Sequence, residues 1–127
     1  MANEKSEPTQ YLVDVRSLSA ELKKFADERD WAKFHSPKNL VMALTGEVGE
    51  LNEIFQWLTT SESELAGSDP KTAVAIRHEI ADVLLYLVRL SDVLDIDLNS
   101  AVAEKLKINT NKYPSESVKG SAKKYNA

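Results

Sequence analysis

Two tetrapeptides place carboxylates where the chain is otherwise apolar. Glu47-Val48-Gly49-Glu50 lies between Leu44 and Leu51, and Glu79-Ile80-Ala81-Asp82 lies between Ile76 and Val83. Residues three apart share one face of a helix, about 5–6 Å apart. Each tetrapeptide therefore projects a carboxylate pair from one side. If two such helices pack with these faces together, four carboxylates converge. Two unit charges 4 Å apart repel by about 4 kcal/mol at an effective dielectric of 20. Such a group must take up protons or hold a cation. Hard oxygen ligands suit Mg²⁺ or Mn²⁺, the ions that bind beside substrate phosphates. Gly49 costs roughly 0.5–1 kcal/mol relative to alanine inside a helix, and its missing side chain leaves room for another group to approach. A solvated acidic face on a helical interaction module is the competing reading, from a different function class.

The rest of the sequence narrows the chemistry. A di-iron site of the ferritin type uses Glu-x-x-His from two helices. This chain has only His35 and His78, and His78 directly precedes Glu79, so it points elsewhere. With no cysteine in 127 residues, thiolate metal sites, disulfides and a cysteine nucleophile are excluded. No GxxxxGK[ST] loop is present. An all-carboxylate Mg²⁺ site points instead to phosphoryl or nucleotidyl transfer. Trp31 and Phe34 sit in the polar stretch 28–39, where nothing local buries them. An indole so placed is either a stacking platform for a base or a cap over the core. His35 is a candidate donor to a phosphate or a base edge. Tyr86, four residues past Asp82, shares the carboxylate face, and Trp57 closes the helix carrying the first pair. Glu53 lies near that pair, behind the ligands or in solvent. Asn109, Lys119, Lys123 and Lys124 are candidates to neutralise phosphate oxygens, or part of a solvated basic tail.

These residues need helices to position them, and the apolar spacing is helical nearly throughout. The first helix is expected from about Thr9 to Ala26, with Leu12, Val15, Leu18, Leu22 and Phe25 as its stripe. Ser36-Pro37 reads as an N-cap followed by first-turn proline, opening a second helix to about Trp57. Residues 59–69 read as a loop. Asp69-Pro70 reads as another cap-plus-proline start, for a long third helix to about Leu94 that is apolar over more than half its girth. Asp97 caps a fourth, Leu98 to about Asn109, and Tyr113-Pro114 ends it. The expected architecture is all-α: a single domain, 1–127, forming a four-helix bundle completed by oligomerisation. Residues 1–8 are expected to be a flexible N-terminus and 111–127 a basic tail.

The net charge of −4 is unevenly spread. Residues 1–10 carry −1 and residues 111–127 carry +3, which leaves −6 on the body. Such a body repels a nucleic acid polymer, whereas a small anion escorted by Mg²⁺ remains accessible. No apolar run approaches the ~18 residues of a membrane span, and MANEKSEPTQ has no apolar signal core. The expected compartment is the cytoplasm.

GEVGELNEIFQW (46–57) and HEIADVLLYLVRL (78–90) resemble the MazG-like all-α nucleoside triphosphate pyrophosphohydrolases. Their pattern is ExxE, a spacer, then ExxD. Here the spacer from Glu50 to Glu79 is 28 residues, at the long end. ERDWAKFHSPKNL (28–40), the FQW at the end of the second helix, and NTNKYP with KGSAKKY (109–125) narrow the likeness to the dCTP pyrophosphatase branch. The resemblance implies Mg²⁺-dependent hydrolysis of a nucleoside triphosphate to the monophosphate and pyrophosphate. It implies Glu47, Glu50, Glu79 and Asp82 as metal ligands, and Trp31 to His35, Trp57 and Tyr86 as substrate contacts. It also implies a homotetramer, a dimer of dimers with sites near subunit interfaces. A broader MazG-like hydrolase acting on dATP or damaged nucleotides is the nearest alternative. Phosphoribosyl-ATP pyrophosphatase is disfavoured by the DW-x-x-FH stretch. One position departs from the pattern: close relatives carry histidine nine residues before the DW tryptophan, and this chain has Leu22.

Overall fold

The structure is a computed structural model that describes residues 11–122. Its regular elements are all helical: α1 Arg16–Glu28, α2 Pro37–Phe55, α3 Thr60–Leu65, α4 Ala73–Val93, α5 Leu98–Lys112 and α6 Ser115–Val118. A single 3₁₀ turn, Ala32–Phe34, lies between α1 and α2. No helix among the described residues is long and apolar enough to cross a membrane. The chain falls into two compact units. Residues 15–96 form one, and residues 11–14 with 97–122 form the other.

In the larger unit α2 and α4 make the principal helix pair, and α1 packs on α4. Glu50 on α2 lies beside Glu79 on α4, and Leu40 lines one cavity with Leu85 and Arg89. Early residues of one helix thus face late residues of the other, which makes the pair antiparallel. Leu40 and Val88 are fully buried at this seam, with Ile76 nearly so. Burying a side chain of this size is worth about 1.5–3 kcal/mol. The N-terminus of α2 is capped as the Ser36-Pro37 pair predicts: the Ser36 hydroxyl accepts from the Asn39 N–H at 3.1 Å.

Helix α1 ends in a six-residue reversal that aims the site loop. Asp30 takes the left-handed conformation at φ 54°. The Asp30 N–H donates to the Asp27 carbonyl at 3.1 Å and the Trp31 N–H to the Ala26 carbonyl at 2.8 Å. This is the Schellman pattern, here with aspartate where glycine is usual. It folds Trp31 back against Phe25, edge to face, with ring centroids 5.7 Å apart. Helix α4 ends the same way, with Asp95 at φ 57° and the Ile96 N–H donating to the Ser91 carbonyl at 2.8 Å.

Several boundaries differ from the sequence reading, including the end of α5, at Lys112 where about Asn109 was expected. The first helix starts at Arg16; Thr9 lies outside the described residues, and Leu12 precedes the helix. The Leu12 and Val13 N–H groups instead donate to Asn99 Oδ1 at 2.8 and 3.0 Å, in the smaller unit. The expected loop 59–69 contains α3, closed by a reciprocal capping box between Thr59 and Glu62. The long helix starts at Ala73, three residues after Pro70. Asp69 Oδ1 accepts from the Lys71 N–H at 2.9 Å, which makes Asp69-Pro70 a turn. In the smaller unit, α5 is capped by Asp97 as read, its side chain accepting from the Ser100 N–H at 3.1 Å. Tyr113 ends it, and α6 adds a short helix in the expected tail.

Candidate active site

The antiparallel α2–α4 seam brings the two carboxylate pairs together. Carboxylate oxygens of Glu47, Glu50 and Glu79 lie within 4.8 Å of one another. Asp82 stands close enough to Glu47 for its negative charge to bear on the Glu47 carboxyl. Glu47 and Glu79 are half-buried and Glu50 is exposed, so the cluster opens to solvent on the Glu50 side. The Glu47 carboxyl is held above its usual range. Hydrogen bonding to the Glu79 carboxyl is the largest cause, followed by burial and by the negative charge of Asp82 and Glu79. Glu79 Oε1 is buried and has no hydrogen-bond partner. An orphaned carboxylate oxygen inside an all-oxygen cluster has a lone pair free to bind a cation. The residues fit a hard divalent metal.

A cavity of about 260 Å³ adjoins this cluster, and Asp82 lines both. Trp31, His35, Tyr86 and Arg89 also line it, with Leu22 and Phe25 from α1. Its size is just below the ~300–1,000 Å³ typical of sites that enclose a whole small ligand. It suits a planar ring whose charged remainder lies outside. Phe25 is held as a wall by two contacts: Trp31 packs edge to face with it, and the Arg29 guanidinium sits 3.7 Å over its ring. His35 Nδ1 accepts from Arg89 Nε at 3.0 Å. Burial, and then the Arg89 charge, hold the His35 imidazole below its usual pKa.

A MazG-like family model matches residues 43–127, which include both carboxylate pairs. The chain belongs to the MazG-like family. It is 48% identical over 119 residues to human dCTP pyrophosphatase 1, covering 94% of this chain and 67% of that one, with the same figures for the mouse protein. The crystal structure of a pyrophosphatase from Archaeoglobus fulgidus superimposes with a TM-score of 0.72 at 39% identity, covering 85% of this chain and 99% of that one.

Within this MazG-like chain the residues singled out from the sequence do not all gather. Glu47, Glu50, Glu79 and Asp82 form the cluster, and Trp31, His35 and Tyr86 line the adjoining cavity. Trp31 is not without local support: it rests on Phe25 and stays 45% exposed. Phe34 lies outside the cavity lining, under the Lys33 ammonium at 5.4 Å. Trp57 falls beyond the end of α2 and is 86% exposed. Asn109 lies in the last turns of α5 and Lys119 caps α6, both in the smaller unit. Lys123 and Lys124 lie outside the described residues. A Cβ added at Gly49 would meet open space, so packing within the chain does not require glycine there.

Sequence reasoning passed over Arg89 and Phe25. A signal for Arg89 existed: Asp82, Tyr86 and Arg89 follow at steps of four and three, one face of α4. A lone cation in Leu87-Val88-Arg89-Leu90 is the residue that face needed explained. Phe25 gave none, because it was indistinguishable from the apolar stripe of α1.

Proposed function

We propose that this chain hydrolyses dCTP, or a closely related deoxynucleoside triphosphate, to the monophosphate and pyrophosphate, with Mg²⁺ held by Glu47, Glu50, Glu79 and Asp82. The observation that carries the reading is the position of Asp82, shared by the carboxylate cluster and the aromatic cavity. A base seated between Trp31 and Tyr86 leaves its triphosphate at the cluster. The dCTP named for the mammalian relatives supports the choice of base, and the pyrophosphatase fold neighbour supports the reaction. Clearing or balancing a nucleotide pool in the cytoplasm is the matching role.

When bound, Mg²⁺ supplies positive charge against the triphosphate and electrophilic activation at the reacting phosphorus. The chain's own residues do the rest. All four carboxylates would hold the cation, Glu47, Glu79 and Asp82 from the half-buried side. Glu50, the exposed member of the cluster, would in addition take the proton of the attacking water. The water oxygen bonds to the α-phosphorus, the bond to the bridging oxygen breaks, and pyrophosphate leaves with that electron pair. The chain has no cysteine and, among the described residues, no serine stands at the cluster as a nucleophile, so the reaction is a single displacement. Trp31 and Tyr86 hold the base, and His35 donates to it.

The active form in this reading is a homotetramer, a dimer of dimers. Support comes from α4, where Val74, Ile80, Leu84 and Leu87 remain 41–55% exposed on the helix that the sequence marks as apolar round most of its girth. Trp57, Asn109, Lys119 and Lys124 then serve substrate in the assembled enzyme. A panel of deoxynucleoside triphosphates with Mg²⁺, assayed for pyrophosphate release, tests the reading. It predicts dCTP as the preferred substrate. Preference for dATP would instead favour the broader MazG-like activity, and no release from any member would leave the helical interaction module.

A further inference from the structure

We infer that Arg89 is a positioning residue: its Nε–H fixes His35 in the tautomer protonated at Nε2, so that His35 meets the substrate as a neutral hydrogen-bond donor. The guanidinium has donors only. At 3.0 Å from Arg89 Nε, His35 Nδ1 must therefore be the acceptor, without a proton. The single proton of the neutral ring then sits on Nε2. That part of the inference is independent of any substrate. The acceptor it serves, an oxygen or ring nitrogen on the base edge, rests on the nucleotide reading above.

The backbone around His35 leaves the ring little other freedom. The His35 N–H donates to the Ala32 carbonyl at 3.0 Å. One residue before it, the Phe34 carbonyl accepts from Asn39 Nδ2 at 3.0 Å, and one residue after it Ser36 caps α2. The 3₁₀ turn and the cap clamp His35 between them, and Arg89 sets the remaining rotation of the imidazole. Arg89 occupies the cavity face of α4 with Asp82 and Tyr86, so the element that fixes the metal ligand also fixes the base-reading donor. A histidine free to exchange tautomers presents donor or acceptor in turn. Held this way it offers only a donor, which matches the acceptor atoms O2 and N3 of cytosine. An uncharged ring in a largely apolar pocket also suits a base better than a phosphate.

Imidazole nitrogen spectra of the ¹⁵N-labelled, metal-free full chain test this directly. His35→Ala distinguishes the His35 signals from those of His78. The expected result is an unprotonated Nδ1 and a protonated Nε2 in the unsubstituted chain. In Arg89→Met the two nitrogens average between tautomers. Arg89→Lys, which keeps the charge and loses the planar Nε–H, gives the same averaging. With dCTP as substrate, His35→Ala raises KM about three- to tenfold, the worth of one neutral hydrogen bond. Arg89→Met raises it by no more, and the double variant is no worse than His35→Ala alone. A proton on Nδ1 in the unsubstituted chain overturns the inference, as does an unchanged tautomer in Arg89→Met. Losses that multiply in the double variant overturn it too, and assign Arg89 directly to the phosphates. If the unsubstituted chain releases no pyrophosphate from dCTP, the nucleotide reading fails, while the spectra still decide what Arg89 does.

Discussion

Asp82 joins the two halves of the site, so its substitution separates their contributions. Asp82→Asn keeps the shape and removes one charge from a cluster that already holds Glu47 above its usual pKa. Metal-free stability should hold or rise, because repulsion falls. Stabilisation by Mg²⁺ in thermal melts should shrink, and kcat should fall by at least about a hundredfold, since the cation contributes several kcal/mol to the transition state. An Asp82→Asn chain with full activity would remove it from the site. Trp31→Ala tests the other half. Stacking is worth about 1–3 kcal/mol per base, so KM for dCTP should rise between roughly fivefold and 150-fold. His35 supplies a pH dependence. Its folded pKa lies below its ordinary 6.5, so the folded chain binds that proton less tightly than the unfolded chain. The stability it contributes is fully present above 6.5 and is lost as the pH falls through the lowered value. The titratable groups sharing its cavity are Asp82, Tyr86 and Arg89, all on α4, while the α1 and α2 contributions there are apolar. Melting temperatures of the chain and of His35→Ala should therefore diverge above that value and converge in acid.

The helix ends decide where the loop residues point, and two of them are built unusually. Asp30 and Asp95 both hold the left-handed position that glycine normally fills. Left-handed backbone costs an ordinary residue roughly 1–2 kcal/mol. Asp30→Val should therefore destabilise the chain by about that much and also raise KM, because the turn that seats Trp31 on Phe25 loosens. Asp30→Gly should be neutral or mildly stabilising by denaturant unfolding, and should keep KM. Equal stability of the Val and Gly variants would contradict the Schellman assignment. The same two ends show what was legible beforehand. The carboxylate pairs could be read because three-residue spacing puts both members on one face of a helix. The Ser36 and Asp97 caps could be read because a side-chain oxygen just ahead of a helical run accepts from its first free N–H groups. The turn at Asp30 could not, since the usual signal is glycine and none is present. Nor could α3, whose capping box is written in Thr59 and Glu62 but lacks the apolar run that normally follows. At Asp69-Pro70 two local solutions compete: the side chain closed a turn on Lys71, and the Thr72 hydroxyl was spent on the Ala66 carbonyl at 2.6 Å. That left the start of α4 without a side-chain cap.

At the scale of the whole molecule, the chain keeps few large side chains fully out of water: Leu40 and Val88 are the bulkiest among the described residues. Exposed apolar surface on α4 is the physical ground on which the tetramer is proposed. Light scattering should give a mass near four times 14.2 kDa, and a monomer across working concentrations would refute the tetramer. Ile80→Asp, on that face, should shift the mass downward. Activity falling with it would show that the site needs its neighbours. The bond that is cut separates attack at the α-phosphorus from other phosphoryl chemistry. Incubation of dCTP and Mg²⁺ with the chain in ¹⁸O-water, followed by phosphorus NMR and mass analysis, should yield dCMP and pyrophosphate in equal amounts. One ¹⁸O per turnover should appear, carried by the dCMP phosphate. Orthophosphate and dCDP as products, or a label that enters pyrophosphate, would contradict attack at the α-phosphorus and the role assigned to the carboxylate cluster.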